Sequence, residues 1–151
     1  MTPELLAFIL QAKLHTYASG GDGSERNLPD GGHEMLWAAE DWSYRDVYYG
    51  YNPFAGEEMI WQSGKAVWMM NYYGRVASEE VTPQEVYAFL QKAMQKVGPE
   101  APYRGPLLHL EGDFEYRDEN RGDPDGFHGV ERIYFRGRQV YELMYHGGIL
   151  A

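Results

Sequence analysis

The sequence predicts an α+β fold in which an α-β-β-β unit is duplicated around a pseudo-two-fold axis and two helices cover an antiparallel sheet. The main observation is a repeat: the stretch 54–74, FAGEEMIWQSGKAVWMMNYYG, returns seventy-three positions later as 127–147, FHGVERIYFRGRQVYELMYHG. The aligned stretches share Phe54/Phe127, Gly56/Gly129, Glu58/Glu131, Ile60/Ile133, Gly64/Gly137, Val67/Val140, Tyr72/Tyr145 and Gly74/Gly147. A second pair of segments, 36–46 and 108–118, aligns at an offset of seventy-two and shares Leu36/Leu108, Asp41/Asp113, Tyr44/Tyr116, Arg45/Arg117 and Asp46/Asp118.

The first helix is predicted to begin at Thr2-Pro3-Glu4, because Thr caps helices, Pro suits the first turn and an acid suits the N-terminus. Apolar residues at helical spacing predict one buried stripe, formed by Leu6, Ile9, Leu10, Leu14 and Tyr17. We expect the helix to end before Ser19. Residues 19–32 are mostly Gly, Asp, Ser, Asn and Pro, and they predict a mobile loop.

The strands follow. Residues 33–51 have the aromatic and β-branched content of strand, and 54–74 is predicted to be a hairpin. Its turn is placed at Ser63-Gly64, because glycine takes the positive φ that tight hairpin turns require. Alternation puts the most uniformly apolar residues on one face, and we predict that this face is core: Trp68, Met70 and Tyr72, with Tyr141, Leu143 and Tyr145 in the copy.

The second helix is predicted from the capping-box sequence Thr82-Pro83-Gln84-Glu85. Its apolar stripe is Val86, Phe89, Leu90, Ala93, Met94 and Val97, and Gly98-Pro99 ends it. The order helix, strand, hairpin therefore occurs twice. We expect a single domain over 1–151, with repeat 1 at about 2–76 and repeat 2 at about 82–148, since each half alone is small for an independent core.

Charge and composition exclude several classes of function. The chain has 13 Lys and Arg against 23 Asp and Glu, a net charge of −10, and no cysteine. Nucleic acids and anionic membrane surfaces are bound largely through cationic side chains, so neither is an expected partner. The absence of cysteine argues against a disulfide-rich secreted scaffold, and the N-terminal stretch lacks the basic region of a signal peptide. We expect a cytoplasmic protein.

Candidate chemistry centres on Glu58 and Glu131, which occupy equivalent positions. If the pseudo-symmetry axis passes near them, they form a carboxylate pair usable as acid and base. The alternative is that each is a structural acid anchored by Arg, Tyr or backbone N–H groups. The five histidines lack metal-ligand spacing, so neither a metal nor another cofactor is predicted. His146 is the most interesting of them, since its symmetry mate is Tyr73, beside Asn71.

The chain also resembles a functionally uncharacterised bacterial domain family that often lies C-terminal to an Xre-type helix-turn-helix DNA-binding domain. The resemblance is carried by AKLHTYA at 12–18, FAGEE at 54–58, MNYYGRV at 70–76, PYRGP at 102–106 and YHGG at 145–148. No helix-turn-helix is present in this sequence, so we expect a stand-alone domain without direct DNA binding. What the resemblance implies is a small-molecule sensor or a dimerisation unit.

Three hypotheses of function follow. The first is a small-molecule-binding or sensor-like module with an aromatic pocket near the pseudo-symmetry axis. Its candidate lining residues are Tyr17, Glu58, Asn71, Tyr73, Tyr103, Arg104, Glu131 and His146. The second is an interaction domain in which the same aromatic residues bind another protein or form a homodimer. The third and least favoured is an enzyme that uses Glu58, Glu131 or His146 as acid or base.

Overall fold

A computed structural model describes residues 1–19 and 25–151, and over these residues the chain forms one antiparallel sheet of nine strands with two helices. The helices are α1 (Pro3–His15) and α2 (Pro83–Met94), and a short 3-10 helix spans Tyr17–Ser19. The strands are β1 (Glu25–Asn27), β2 (His33–Ala39), β3 (Trp42–Gly50), β4 (Phe54–Gln62), β5 (Lys65–Val76), β6 (Leu108–Glu111), β7 (Phe114–Asp123), β8 (Gly126–Phe135) and β9 (Arg138–Ile149).

The predicted α+β class is wrong, because strands hold 54% of the chain and helices only 19%. The fold is closer to all-β. The predicted α-β-β-β units contain more strands than expected, five in the first half and four in the second. The segment 33–51 folds into β2 and β3, which turn at Glu40 with a φ of 55°. The glycine-containing dipeptides that mark tight hairpins are absent from Glu40-Asp41, so this turn carried no strong signal.

The strand order is β1-β2-β3-β4-β5-β9-β8-β7-β6, so the two halves of the chain meet at the pairing of β5 with β9. The hairpin of β4 and β5 turns at Ser63 and Gly64, as predicted, with φ values of 49° and 79°. Arg136 and Gly137 make the same turn between β8 and β9, with φ values of 48° and 79°. The outer strands then continue away from the β5–β9 pair in mirrored chain order.

Helix α1 begins as predicted, with the Thr2 side chain accepting a hydrogen bond from the Leu5 backbone N–H. Its predicted stripe is only partly right, because Ile9 is buried but Leu6, Leu10 and Tyr17 are half-buried. The buried residues are Leu5, Phe8, Ile9, Ala12 and Lys13, whereas Leu14 is exposed. The helix is apolar on several sides, so periodicity alone did not fix which side faces the sheet. In the predicted loop, residues 20–24 lie outside the described residues, and β1 forms within the remainder and pairs with β2.

The core lies on one face of the sheet. The predicted inner residues of β5 and β9 are all buried, and so is the predicted stripe of α2 from Val86 to Met94. Helix α1 packs Phe8 against Trp42, with ring centroids 5.4 Å apart, and α2 stacks Phe89 on Phe114 at 4.9 Å. Each large buried side chain of this kind contributes about 1.5–3 kcal/mol. Within the described residues, neither helix is long and apolar enough to cross a membrane.

Candidate functional site

A cluster of charged side chains is buried on the inner face of the sheet, and α1 contributes one of them. It is called here the buried charge cluster, and every member is at most 5% exposed. Its members are Lys13, Asp46, Glu58, Arg104, Asp118 and Glu131. Two cations therefore face four carboxyl groups in a region shielded from water, where each ionised group needs a partner to offset its lost hydration.

Glu58 is held mainly by Lys13 of α1. The Lys13 Nζ atom lies 2.5 Å from Glu58 Oε2, and Arg104 Nη1 lies 4.0 Å from the other carboxylate oxygen. Burial lowers the pKa of Lys13, and the adjacent carboxylate opposes that effect. Lys13 is therefore buried because a carboxylate of β4 lies beneath the helix.

Glu131 is anchored still more completely. Its carboxylate accepts hydrogen bonds from Arg104 Nη2 at 3.0 Å, from the Tyr116 hydroxyl at 2.8 Å and from the Tyr141 hydroxyl at 2.7 Å. Arg104 thus lies between the two equivalent glutamates. Glu131 is thus anchored by Arg and Tyr, and Glu58 is held by Lys13, so the partners of both acids occupy the groups that acid–base catalysis would need.

Asp46 of β3 and Asp118 of β7 are the second aligned pair. Tyr72 donates a hydrogen bond to Asp46 at 2.6 Å, and Tyr145 donates one to Asp118 at 2.8 Å. Glycine is required beside each tyrosine. A Cβ atom on Gly56 would lie 2.5 Å from the Tyr72 hydroxyl, and one on Gly129 would overlap the Tyr145 hydroxyl in the same way. The identities at these aligned positions therefore preserve two copies of one packed hydrogen bond.

The two aspartates differ in the number of hydrogen-bond donors that contact them. Asp118 also accepts a hydrogen bond from the Asn120 amide at 2.9 Å, whereas within residues 1–19 and 25–151 Tyr72 is the only donor to Asp46. Burial, followed by the neighbouring Glu58 carboxylate, raises the pKa of Asp46 to about 7. Burial raises the pKa of Asp118 to about 6. Asp46 is thus the carboxyl of the cluster most in need of a further donor.

Asp46 faces a cavity of about 110 Å³. Its walls are mostly aromatic, and its lining residues are Tyr17, Asp46, Tyr48, Gly50, Tyr51, Phe54, Tyr72, Tyr87 and Arg104. The Arg104 guanidinium lies over the Tyr72 ring, 5.1 Å from its centroid. Burial raises the pKa of Tyr17 to about 12, so its hydroxyl stays protonated and able to donate. We call this space the aromatic cavity.

The structure divides the eight candidate lining residues between two faces of the sheet. Tyr17 and Arg104 line the aromatic cavity, Glu58 and Glu131 lie in the buried charge cluster, and Tyr103 is buried against Phe127. The remaining three, Asn71, Tyr73 and His146, line a shallow depression on the opposite face with His128, Val130 and Met144. Glu58, Glu131 and His146 are therefore not brought together.

Several residues of the cavity were not predicted: Lys13, Asp46, Tyr48, Tyr51, Phe54, Tyr72 and Tyr87 line it or support its base. For Asp46, Phe54 and Tyr72 a signal was present, because each is identical to its partner in the second half. Tyr87 carried none, and Lys13 carried only its place in the segment AKLHTYA, on which the family resemblance depends. A lysine in an amphipathic helix is normally solvated, and Tyr87 lies outside the apolar stripe of α2.

Comparisons with known proteins give a family and no function. A profile described as "Domain of unknown function (DUF5680)" matches residues 46–150. This match includes Asp46, Phe54, Tyr72 and Tyr87 but not α1, and so omits Lys13 and Tyr17. No curated protein and no solved structure has detectable similarity to the chain.

Proposed function

We propose that this chain, which belongs to the DUF5680 domain family, binds a small molecule in the aromatic cavity and serves as a sensor-like module. The observation that carries the proposal is the combination of aromatic walls with a buried carboxyl, Asp46, that has one donor among the described residues. Ligand sites are typically concave and apolar with a few polar groups that fix orientation. The resemblance to domains that follow DNA-binding modules supports the sensor role.

The size and charge of the cavity restrict the ligand. Apolar cavities of about 150 Å³ hold one benzene molecule. The aromatic cavity has about 110 Å³ and opens to solvent, so the part of the ligand that enters it is no larger than about one six-membered ring. A nucleotide does not fit. The buried charge cluster already contains more carboxyl groups than cations, so an anionic headgroup would add to an uncompensated negative charge. A neutral donor or a cation at Asp46 is favoured.

Native mass spectrometry of the freshly purified protein is the first test, since a ligand retained from the cell appears as excess mass that denaturation removes. The second test is calorimetric titration with tyramine, which combines one ring with an ammonium donor. We expect binding that weakens about tenfold in Asp46→Asn, because the ammonium group then bonds a neutral amide oxygen instead of a carboxylate. Asp118→Asn is the matched control and should bind as the wild type does. The proposal is refuted if the purified protein retains no excess mass and also fails to bind tyramine at millimolar concentration.

A second candidate function is homodimerisation through the outer face of the sheet. Tyr73 of β5 and Met144 of β9 lie opposite each other there and are 48% and 55% exposed. Apolar side chains at the centre of an uncovered sheet favour burial against a partner. Light scattering should then show a dimer that Met144→Lys dissociates and that Gln62→Lys, at the end of β4, leaves intact. A monomeric wild type excludes this candidate.

A further inference from the structure

Three side chains of the aromatic cavity, Asp46, Phe54 and Tyr72, recur in the second half as Asp118, Phe127 and Tyr145. We call these two sets the first and the second framework. In the first half, the Phe54 and Tyr72 rings lie 6.0 Å apart at 61°, beside Asp46. In the second half, the aligned Phe127 and Tyr145 rings lie 6.1 Å apart at 54°. Tyr145 donates to Asp118 just as Tyr72 donates to Asp46. The two frameworks therefore agree in spacing, in tilt and in their buried carboxyl.

The second framework is filled by another side chain of the protein, whereas the first is open. The Tyr103 ring stacks on Phe127 with centroids 4.1 Å apart at 26°, and it lies 5.9 Å from Tyr145. Tyr103 is only 4% exposed. Among the described residues, no ring stacks on Phe54 in this way, since its ring neighbours Tyr72 and Tyr87 both meet it edge-on.

The aligned positions differ in what they supply. Extending the alignment of the segments 36–46 and 108–118 towards the N-terminus places Gly31 opposite Tyr103. Gly31 is exposed, and a Cβ atom there would have no atom within 4 Å, so this position supplies no ring to the first framework. The residue after Tyr103, Arg104, hydrogen-bonds Glu131 of the second half and also lines the aromatic cavity. This segment therefore fills the second framework with Tyr103 and lines the cavity of the first framework with Arg104.

We propose that Tyr103 mimics the ligand of the aromatic cavity, and that the ligand presents a planar six-membered ring which stacks on Phe54. This inference rests on the proposed function and specifies the chemical class of the ligand. A phenol ring suits the second framework, and the first framework has nearly the same geometry. Stacked aromatic pairs gain affinity beyond the area they bury, so a planar ring is preferred over a saturated ring of equal size.

The test compares p-cresol, which is the tyrosine side chain as a free molecule, with 4-methylcyclohexanol, which is similar in size but not planar. Binding to the wild type is measured by calorimetry and by NMR titration. We expect one p-cresol per chain, bound about fivefold more tightly than 4-methylcyclohexanol, and a loss of that preference in Phe54→Leu. Tyr103→Ala should open the second framework and bind two p-cresol molecules, whereas Tyr103→Phe should bind one.

The outcomes separate this inference from the proposal beneath it. If the wild type binds tyramine but shows no preference for p-cresol over 4-methylcyclohexanol, the ring inference is wrong and the cavity proposal stands. If the wild type binds none of the three probes and retains no excess mass from the cell, both are wrong. A folded Tyr103→Ala protein that binds a single p-cresol would show that Tyr103 is not a ligand mimic. Should that variant fail to fold, the wild-type and Phe54→Leu measurements still decide the preference for a planar ring.

Discussion

Replacing Asp46 by Asn should stabilise the protein, and the gain should grow as the pH rises. The folded carboxyl has a pKa of about 7 because it is buried, against 3.8 in an unfolded chain. Between these values the folded state keeps a proton that the unfolded state releases, so the free energy of unfolding falls as the pH rises and levels off above 7. The whole difference corresponds to about 4 kcal/mol.

The asparagine amide in the Asp46→Asn variant has no proton to release in this range, and its oxygen can still accept the hydrogen bond from Tyr72. We therefore expect the stability difference between Asp46→Asn and the wild type to increase by about 2–3 kcal/mol from pH 5 to pH 8. Urea unfolding at pH 5, 6, 7 and 8 measures it. Asp41→Asn, on an exposed turn, serves as the control. A stability difference that stays constant with pH would show that burial does not raise the pKa of Asp46, and Asp46 would then not be a desolvated carboxyl at the cavity.

Two further predictions concern the same region. Lys13→Met leaves the Glu58 carboxylate buried without its nearest cation, so urea unfolding should show a loss of about 3–5 kcal/mol. Adding Glu58→Gln should restore at least half of that loss, and simple additivity of the two changes would contradict the ion pair. Gly56→Ala places a methyl group 2.5 Å from the Tyr72 hydroxyl and should cost about 1–3 kcal/mol in the same assay. Gly126→Ala, with no atom within 4 Å of its Cβ, should cost less than about 0.5 kcal/mol, and equal losses would refute the steric argument.

The buried charge cluster shows how far the internal repeat could be followed from sequence. Glu58, Asp46 and Tyr72 each have an identical partner in the second half, and the structure places all of these side chains on the inner face. Their identity alone did not separate catalytic acids from anchored ones. That distinction depends on Lys13 and Arg104, which reach the cluster from α1 and from the segment before β6.

The fold class was missed for a local reason. The two helices have strong capping and apolar signals, which predict helix as clearly as alternation predicts strand. The turns between β2 and β3 and between β6 and β7 are short, and Glu40 at the first of them is not a typical turn residue. The extra strands and the length of β5 and β9 therefore make the sheet far larger than the pattern predicted.

The sequence by itself determined which hairpin face is buried, where both helices begin and which residues recur in the two halves. These are local properties, because alternation, capping and turn geometry depend on neighbours along the chain. Only the tertiary structure decided that α1 buries Lys13 over Glu58 and that Tyr103 fills the second framework while no ring stacks on Phe54 among the described residues. Both depend on contacts between segments far apart in the chain, and no local pattern encodes which of two equivalent spaces a side chain will enter.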